Sequence, residues 1–570
     1  MKKSIFFSTK RCLLALLMLA GMFMASAADF MVDGIYYNII SDNQVEVTAP
    51  DSTKYLGDIT IPASVVNNGV TYQVTRLGHY AFFNCGELTS VTLPEGLTEI
   101  GESAFYFCDH MEYIELPNSL VKIGEYAFQG SRAVTSFYIP RNVTSIAKNA
   151  FLYCTGVNAF MVSGSNPCYK SVAGVLYTKD MTMLVAYPPA ATTTSFAIPE
   201  TVTRLQDFAF HFNNHLTQVT IPESVTWVGG AAFRGCDGLT SLYFPDGITH
   251  IGSSGFSECD NLTSVHLPAN LDTIHNNMCG RLTSLTSITI PRSVRCIDNF
   301  AFQKATGFKS IIFEEGSCLD SIGMHAFDEC TSLESFDMPN TVTKIGGEPF
   351  GYCYSLKSIH LSENLQILRG STFWECTSLT EMEVPSSVTF IDHNNFYGCT
   401  SLKRLKIGDK DATTRNTVIR YGQISACTSL ERIELGANVS ALSGGAFSHV
   451  NMNTVKVFIS WGLTPPSCIN GSNPFDSYTR YATLYVPKAA LEAYQTAECW
   501  KDFSAIVPIE DVGDVNGDGT IGIADVTALI DMLLADGGEV DTKLSDVNLD
   551  SSVNIADVTA LIDLLLSAKN

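Results

Sequence analysis

Charge is scarce in this chain. Asp, Glu, Lys and Arg make up 16% of its 570 residues, against 46% hydrophobic residues. That balance excludes a disordered chain, which stays unpacked by combining high charge with low hydrophobicity. Positive charge is scarcer still: 35 Lys and Arg stand against 58 Asp and Glu, a formal net charge of −23. With so little positive charge there is no surface for a phosphate backbone, which excludes nucleic acid as a partner. Past the N-terminus no apolar run is long enough for a membrane helix, so no membrane span is expected. No C-x-x-C pair occurs, which leaves zinc and thiol-redox readings without support. G-x-S-x-G, H-E-x-x-H and Walker loops are also absent, and no insert is large enough to build a catalytic cleft. The chain therefore reads as a binding protein and not an enzyme. His211 and His215 form an H-x-x-x-H spacing, but in loop sequence, and they read as surface histidines.

What the chain has in abundance is repetition. Leu216–Gly238 (LTQVTIPESVTWVGGAAFRGCDG) is 23 residues long, and the pattern restarts at Leu239. A Pro column runs through Pro94, Pro117, Pro140, Pro199, Pro222 and onward. A Phe column runs through Phe82, Phe105, Phe128, Phe151, Phe210 and Phe233, and later Phe327, Phe350, Phe373 and Phe396. A Cys column follows three residues behind, as at Cys85, Cys108, Cys154, Cys236 and Cys330. A fixed period of about 20–29 residues marks a solenoid, whose coils bury their apolar faces only against neighbours. Within one coil LTQVTIP alternates apolar and polar residues, predicting a strand that Pro222 ends. SVTWVG predicts a second short strand, and GAAFRGC a loop that drops Phe233 and Cys236 inward. No coil has room for a regular helix. The expected fold is thus a β-rich solenoid with two short strands per coil.

Stacked at one position per coil, the Cys column would place side chains about 4.8 Å apart and parallel. A disulfide needs converging Cβ atoms at about 3.8 Å. The column is also interrupted by Ser131, Asn213, Leu282 and Ala305. Its thiols are therefore expected to be small buried core residues. Cys168, Cys279, Cys296, Cys318, Cys468 and Cys499 lie off it, and a pair among them stays open.

The coil LTSVTIPESVTxIGxxAFxxC resembles the BspA-like leucine-rich-repeat family over about residues 73–450. The resemblance implies a leucine-rich-repeat solenoid and an adhesive or surface-binding role. Residues 28–72 are expected to form an N-terminal β cap, 73–454 the solenoid and 455–510 a C-terminal cap. Inserts near 160–195 and 408–417 break the period. The outward strand positions, among them Gln218, Thr220, Tyr243 and Ser264, are rich in hydroxyls, which suits a host protein or a glycan as ligand. Residues 1–27 read as a signal peptide, with basic Lys2, Lys3, Lys10 and Arg11, an apolar stretch over 12–25 and Ala25-Ser26-Ala27 at the cleavage site. A secreted, extracellular or cell-surface location follows.

Residues 511–570 are a different module. They carry 12 acidic and 2 basic residues and an internal duplication: DVNGDGTIGIADVTALIDMLL from Asp514 returns as DVNLDSSVNIADVTALIDLLL from Asp546. Asp514, Asn516, Asp518, the Thr520 carbonyl and Asp525 follow the ligand order of an EF-hand loop, with Gly519 at its sharp turn. Asp546, Asn548, Asp550, the Ser552 carbonyl, Asn554 and Asp557 repeat it, with Ser551 in place of the Gly. Hard oxygen donors packed this closely call for Ca²⁺, one ion per loop and two in all. Each loop runs into apolar residues at helical spacing: Val526, Leu529, Ile530, Leu533 and Leu534, then Val558, Leu561, Ile562, Leu565 and Leu566. A duplicated loop with only its exiting helix resembles the type I dockerin family. That resemblance implies a small all-α, EF-hand-like fold around two Ca²⁺ ions and a cohesin-type module on another protein as partner. It also marks Ile523, Ala524, Ile555 and Ala556 as partner-binding, although relatives often carry Ser-Thr there. Dockerins often ride on polysaccharide-degrading enzymes, so the alternative reading is a non-catalytic component of a secreted polysaccharide-degrading, cellulosome-like assembly.

Overall fold

A computed structural model describes residues 28–50, 53–448, 454–475, 477–534, 542–550 and 552–567. The expected signal peptide and Ser551 lie outside them. The chain divides into two compact units, Met1–Leu216 with Ala232–Cys236, and Thr217–Ala231 with Asp237–Asn570.

The first unit begins with antiparallel strands Phe30–Val32, Ile35–Ser41 and Gln44–Thr48. Gln44–Thr48 then pairs in parallel with Val70–Leu77, and the ladder passes on through Glu99–Ile100, Lys122–Ile123 and Ser145–Ile146. A second parallel ladder starts at Gly57–Thr60 and continues through Leu88–Thr92 and Tyr113–Glu115. Each coil thus contributes one strand to each ladder. In the insert, Tyr169–Val172, Val175–Thr178 and Met183–Ala186 form an antiparallel meander. Its last strand rejoins the parallel pairing at Arg204–Leu205.

The second unit repeats the arrangement. One ladder runs from Thr273–Ile274 through Cys296–Ile297 and Ser321–Ile322 to Lys344–Ile345. Another runs from Glu381–Val384 through Arg404–Ile407, Arg432–Leu435, Val457–Ser460 and Thr483–Val486 to Ala505–Pro508. The parallel stacking therefore continues through the region where the 23-residue period fades. Among the described residues four α-helices follow late in the chain: α1 (Leu491–Thr496), α2 (Ile523–Leu534), α3 (Thr542–Ser545) and α4 (Ile555–Ser567). Among the described residues no helix is long and apolar enough to cross a membrane.

The Phe column is the spine of the core. In the first unit successive rings stack nearly parallel: Phe82–Phe105 at 5.1 Å, Phe105–Phe128 at 5.4 Å and Phe128–Phe151 at 5.9 Å. Tyr187 takes the next place and stacks on Phe210 at 5.1 Å. It lies 23 residues before Phe210, so the insert ends in register although no Phe announces it. In the second unit Phe302, Phe327, Phe350, Phe373 and Phe396 continue at 4.9–5.8 Å. Cys279, expected off the Cys column, stands in the Phe column: it lies 23 residues after Phe256 and 23 before Phe302, and is fully buried.

The loops before and after each Phe need left-handed backbone. Ser103 and Phe107 flank Phe105 at φ 54° and 53°, and Tyr126 and Gly130 flank Phe128 at 54° and 77°. Non-glycine residues bear this strain because the loop amides bond to the next coil, as Ser103 N–H does to the Glu125 carbonyl and Phe107 N–H to that of Gln129. At Gly130 a Cβ would lie 2.4 Å from the Phe107 ring, so glycine is required there.

His211 is buried and not on the surface as expected. It sits edge-on to the rings of Tyr153, Phe208 and Phe212. Among the sixteen described cysteines, only Cys468 and Cys499 are bonded to each other, and the rest are free.

Candidate metal centres and docking face

The two acidic loops have nearly the same geometry. In the first, Asn516 N–H donates to Asp525 Oδ1 at 3.0 Å and Gly522 N–H to Oδ2 at 2.8 Å. In the second, Asn548 N–H donates to Asp557 Oδ1 at 3.1 Å and Asn554 N–H to Oδ2 at 2.8 Å. Asp525 and Asp557 thus close each loop from the first turn of α2 and α4, where the helix dipole favours negative charge. Both are fully buried, and Asp514 and Asp546 nearly so.

The intervening positions fold the loop around its own oxygens. Asp514 Oδ2 accepts from Gly519 N–H at 2.8 Å, and Asn516 Oδ1 from Asp518 N–H at 2.8 Å. Asp518 accepts from both the amide and hydroxyl of Thr520, which hold its carboxyl below the usual range. Asp546, Asn548 and Asp550 repeat the pattern. Burial pushes the Asp550 carboxyl up, but bonds from the Ser552 hydroxyl and amide and from Asn548 outweigh it, aided by the charge of Arg404, and the net shift is down. Gly519 has φ 84°, as the sharp turn demands.

The donor set fits a hard divalent cation. Every side chain at these positions offers oxygen, and Asp514 Oδ1 is buried with no hydrogen-bond partner. A buried ionised oxygen left without a partner is costly, and a cation would resolve it. Among the described residues no three His, Cys, Asp or Glu side chains converge as a ready-made metal cluster. These loops instead count on Asn and main-chain oxygens for part of the set. Asp514, Asn516, Asp518, the Thr520 carbonyl and Asp525 would hold one ion, and Asp546, Asn548, Asp550, the Ser552 carbonyl, Asn554 and Asp557 the other.

The helices leave apolar residues uncovered. Leu529, Val558 and Leu561 form the module's small core, with Val526 and Leu533 against it. Ile523, Ile530 and Leu534 on α2 are exposed by 80%, 38% and 78%. Their counterparts 32 residues later on α4, Ile555, Ile562 and Leu566, are exposed by 72%, 41% and 60%. Ala524 and Ala556, beside the first of each trio, are exposed too. The sequence pattern put Ile530, Leu534, Ile562 and Leu566 on the same stripe as the core residues; a two-helix module has too little partner surface to cover them all.

On the solenoid, the outward strand positions change character along the second unit. Ser241 and Tyr243 stack in register on Ser264 and His266, with the Tyr243 and His266 rings 4.4 Å apart. Farther on, Glu381, Arg404 and Arg432 align across neighbouring strands, as do Glu383, Lys406 and Glu434. They line a shallow groove of about 310 Å³. The sequence already marks Glu381, Glu383, Arg404 and Lys406 as outward strand positions; reading the face as hydroxyl-rich with few charges missed that they gather with Arg432 and Glu434 into one charged patch. Also missed were Arg432, Tyr485 and Leu549, which join the acidic module to the solenoid. The available signal was Leu549 standing where the first half has Gly517.

Comparison with known proteins agrees with this architecture. The model of the BspA type leucine rich repeat region matches residues 48–168, 189–309, 296–421 and 411–473, and that of the dockerin type I domain matches 512–566. Type I dockerins bind calcium and imply a cohesin partner. A leucine-rich repeat protein from Bacteroides ovatus is 25% identical, with 71% of this chain and 94% of that one covered and a TM-score of 0.43. A leucine rich cell surface protein from Faecalibacterium prausnitzii is 26% identical, with 71% and 94% covered and a TM-score of 0.39. A leucine-rich repeat protein from Eubacterium ventriosum is 21% identical, with 64% and 92% covered and a TM-score of 0.37. No curated protein matches the chain. With the repeat spanning most of its length and the duplicated acidic loops at its end, the chain belongs to the BspA-type leucine-rich repeat family and carries a C-terminal type I dockerin domain.

Proposed function

We propose that this is a secreted, non-catalytic binding protein with two working surfaces. Its dockerin holds two Ca²⁺ ions and docks through the exposed residues of α2 and α4 onto a cohesin-type module. Its solenoid presents the outward strand faces to a protein or glycan. The observation that carries the reading is the matched pair of exposed apolar trios, Ile523/Ile530/Leu534 and Ile555/Ile562/Leu566, beside two loops built of hard oxygen donors. Surface apolar residues scattered singly need no explanation, but the same three on both halves of a duplication make a docking face. Ile523, Ala524, Ile555 and Ala556 open the helices at that face and would set which cohesin is accepted.

The test is a panel of immobilised cohesin modules and glycans probed with the full-length protein, with Ca²⁺ and after chelation. Capture by at least one cohesin that chelation abolishes is expected. Capture by no cohesin, or capture indifferent to chelation, would sink the docking reading. A further probe with soluble host matrix proteins and plant polysaccharides reads the solenoid's ligand separately.

A further inference from the structure

The two halves of the dockerin differ at one place that the duplication itself exposes. Gly517 and Leu549 hold the same loop position, and both have left-handed backbone, φ 72° and 55°. Glycine suits that conformation, whereas a leucine there bears a clash between its Cβ and the backbone. A Cβ on Gly517 would meet nothing within 4 Å. Leu549, by contrast, is buried, with only 8% of its surface exposed.

What buries Leu549 belongs largely to the solenoid. It packs with Val457, Ile459 and Tyr485 from the terminal coils, and with Val512. Polar contacts fix the same junction. Arg432 Nη1 donates to the carbonyls of Asn548 at 3.1 Å and Leu549 at 2.9 Å. The Tyr485 hydroxyl donates to the Lys543 carbonyl at 3.2 Å. Arg432 Nη2 is paired to Glu434 at 2.9 Å, so the guanidinium brings little net charge against a cation in the loop. A strained apolar side chain, kept in one loop of two and buried against another part of the chain, points to a function for the strain.

We propose that the second loop has two faces: its inward oxygens take the cation, while Leu549 and two main-chain carbonyls bind this chain's own terminal coils. Cation binding and the seating of the dockerin on the solenoid are then coupled. The coupling rests on the calcium reading of the loops. A cation fixes the loop backbone, including the carbonyls that Arg432 grips, so each event pre-forms the surface needed by the other. Thermodynamic linkage makes the effect mutual: docking raises the second loop's cation affinity by the same factor by which the cation favours docking. The first loop, with Gly517 exposed, receives no such support. Both apolar trios stay exposed with the module seated, so docking in cis leaves the partner face open.

The experiment uses the full-length protein and Ca²⁺ alone, with calorimetry for the sites and hydroxyl-radical footprinting for Tyr485. Leu549→Gly gives the second loop the first loop's residue, relieving strain while deleting the contact, so loop folding is not endangered. Leu549→Gly and Arg432→Gln are each expected to weaken one Ca²⁺ site roughly tenfold and spare the other, within the usual range of coupling. Adding Asp514→Ala, which disables the first site, assigns the affected site to the second loop. Tyr485 should oxidise several times faster in Leu549→Gly, and in the unaltered protein after chelation. Unchanged affinities, or a tighter second site as strain relief alone would give, would overturn the coupling. So would Tyr485 protection that ignores both the substitution and chelation. If the unaltered protein takes up no Ca²⁺, the calcium reading and the coupling both fail, while loss of Tyr485 protection in Leu549→Gly would still uphold the docking.

Discussion

The Cys154 thiol donates a hydrogen bond to the main-chain carbonyl of Phe128, one coil back, at 3.0 Å. The relation recurs along much of the Cys column. Cys108 donates to Phe82, Cys236 to Phe210, Cys353 to Phe327 and Cys399 to Phe373, at 3.0–3.3 Å. Ser131 makes the same bond to the Phe105 carbonyl at 3.1 Å. Asn213, also in the column, donates to the carbonyls of Pro188 and Pro189. At most of its places the column therefore supplies a small buried donor that adds a second bond, between coils, to a carbonyl already accepting from its own loop, as that of Phe128 does from Ser131 N–H at 3.0 Å.

Substitution at Cys154 separates size from hydrogen bonding. Cys154→Ser should cost about 1 kcal/mol or less, because Ser131 shows that a hydroxyl serves in the same geometry. Cys154→Val keeps the bulk but removes the bond between coils, leaving the Phe128 carbonyl only the Ser131 amide, and should cost about 0.5–1.5 kcal/mol more than Cys154→Ser. Urea denaturation midpoints of the two variants provide the comparison. Equal losses would show that the bond contributes nothing.

The same burial governs thiol chemistry. Burial pushes the Cys154 thiol up to about 12, with the amides of Ser131 and Gly130 pulling the other way, and burial pushes Cys427 to about 12 as well. The thiolate is the reactive form, so these groups should resist alkylation in the native protein. Cys318 is exposed and should react first with iodoacetamide, with Cys168 and Cys296 slower. Folded pKa values above the unfolded value of 9.0 mean that the unfolded chain ionises first. The stability these thiols contribute is complete below pH 9 and is lost as pH rises toward 12. Cys154→Ser should flatten its share of that loss, as read by melting temperature across the alkaline range.

At the acid end the sensitive group is His211. Burial, reinforced by the charge of Arg234, depresses its pKa to about 3, and its Nε2 has no hydrogen-bond partner. A base whose folded pKa lies below the unfolded value of 6.5 stays neutral when folded but takes a proton when unfolded. Its contribution is therefore present above pH 6.5 and is lost as pH falls toward 3. The loss between neutrality and about pH 4 is on the order of 3 kcal/mol. His211→Leu should remove that part of the acid sensitivity while leaving neutral stability close to normal. An unchanged difference in melting temperature between the two pH values would contradict this.

How much of this was legible in the sequence depends on whether one coil or several fix a residue's role. The Phe spine and the paired strands were legible because the 23-residue period repeats them. Tyr187 and Cys279 were not, because the columns were read by residue type, and both occupy Phe places under another name. Ser131 and Asn213 looked like interruptions of a thiol ladder; only the position of the carbonyl one coil back shows that they do the same work. His211 looked exposed because a loop histidine normally is, but Phe208 and Phe212 of its own loop and Tyr153 from another coil cover it. The two matching acidic loops, closed by Asp525 and Asp557, were legible through spacing alone. The junction at Arg432 and Leu549 was not, since it joins residues 117 apart that no period relates.

The duplication in the dockerin makes a last prediction sharp. Ile523 and Ile555 are equivalent, both mostly exposed, and each begins a helix that carries further exposed apolar residues, Ile530 and Leu534 on α2 and Ile562, Leu564 and Leu566 on α4. If either helix can lead the contact after a half-turn of the module, Ile523→Lys alone should weaken capture by a cohesin only a few-fold, and Ile555→Lys alone should do the same. A lysine cannot be desolvated in an apolar contact without large cost, so the double substitution should abolish binding, a loss of at least about 3 kcal/mol. The full-length protein is titrated against a captured cohesin in Ca²⁺, and circular dichroism checks that α2 and α4 persist. A single substitution that already abolishes binding would mean that only one helix is used. In that case the asymmetry created by seating the second loop on the solenoid is the first place to look for the reason.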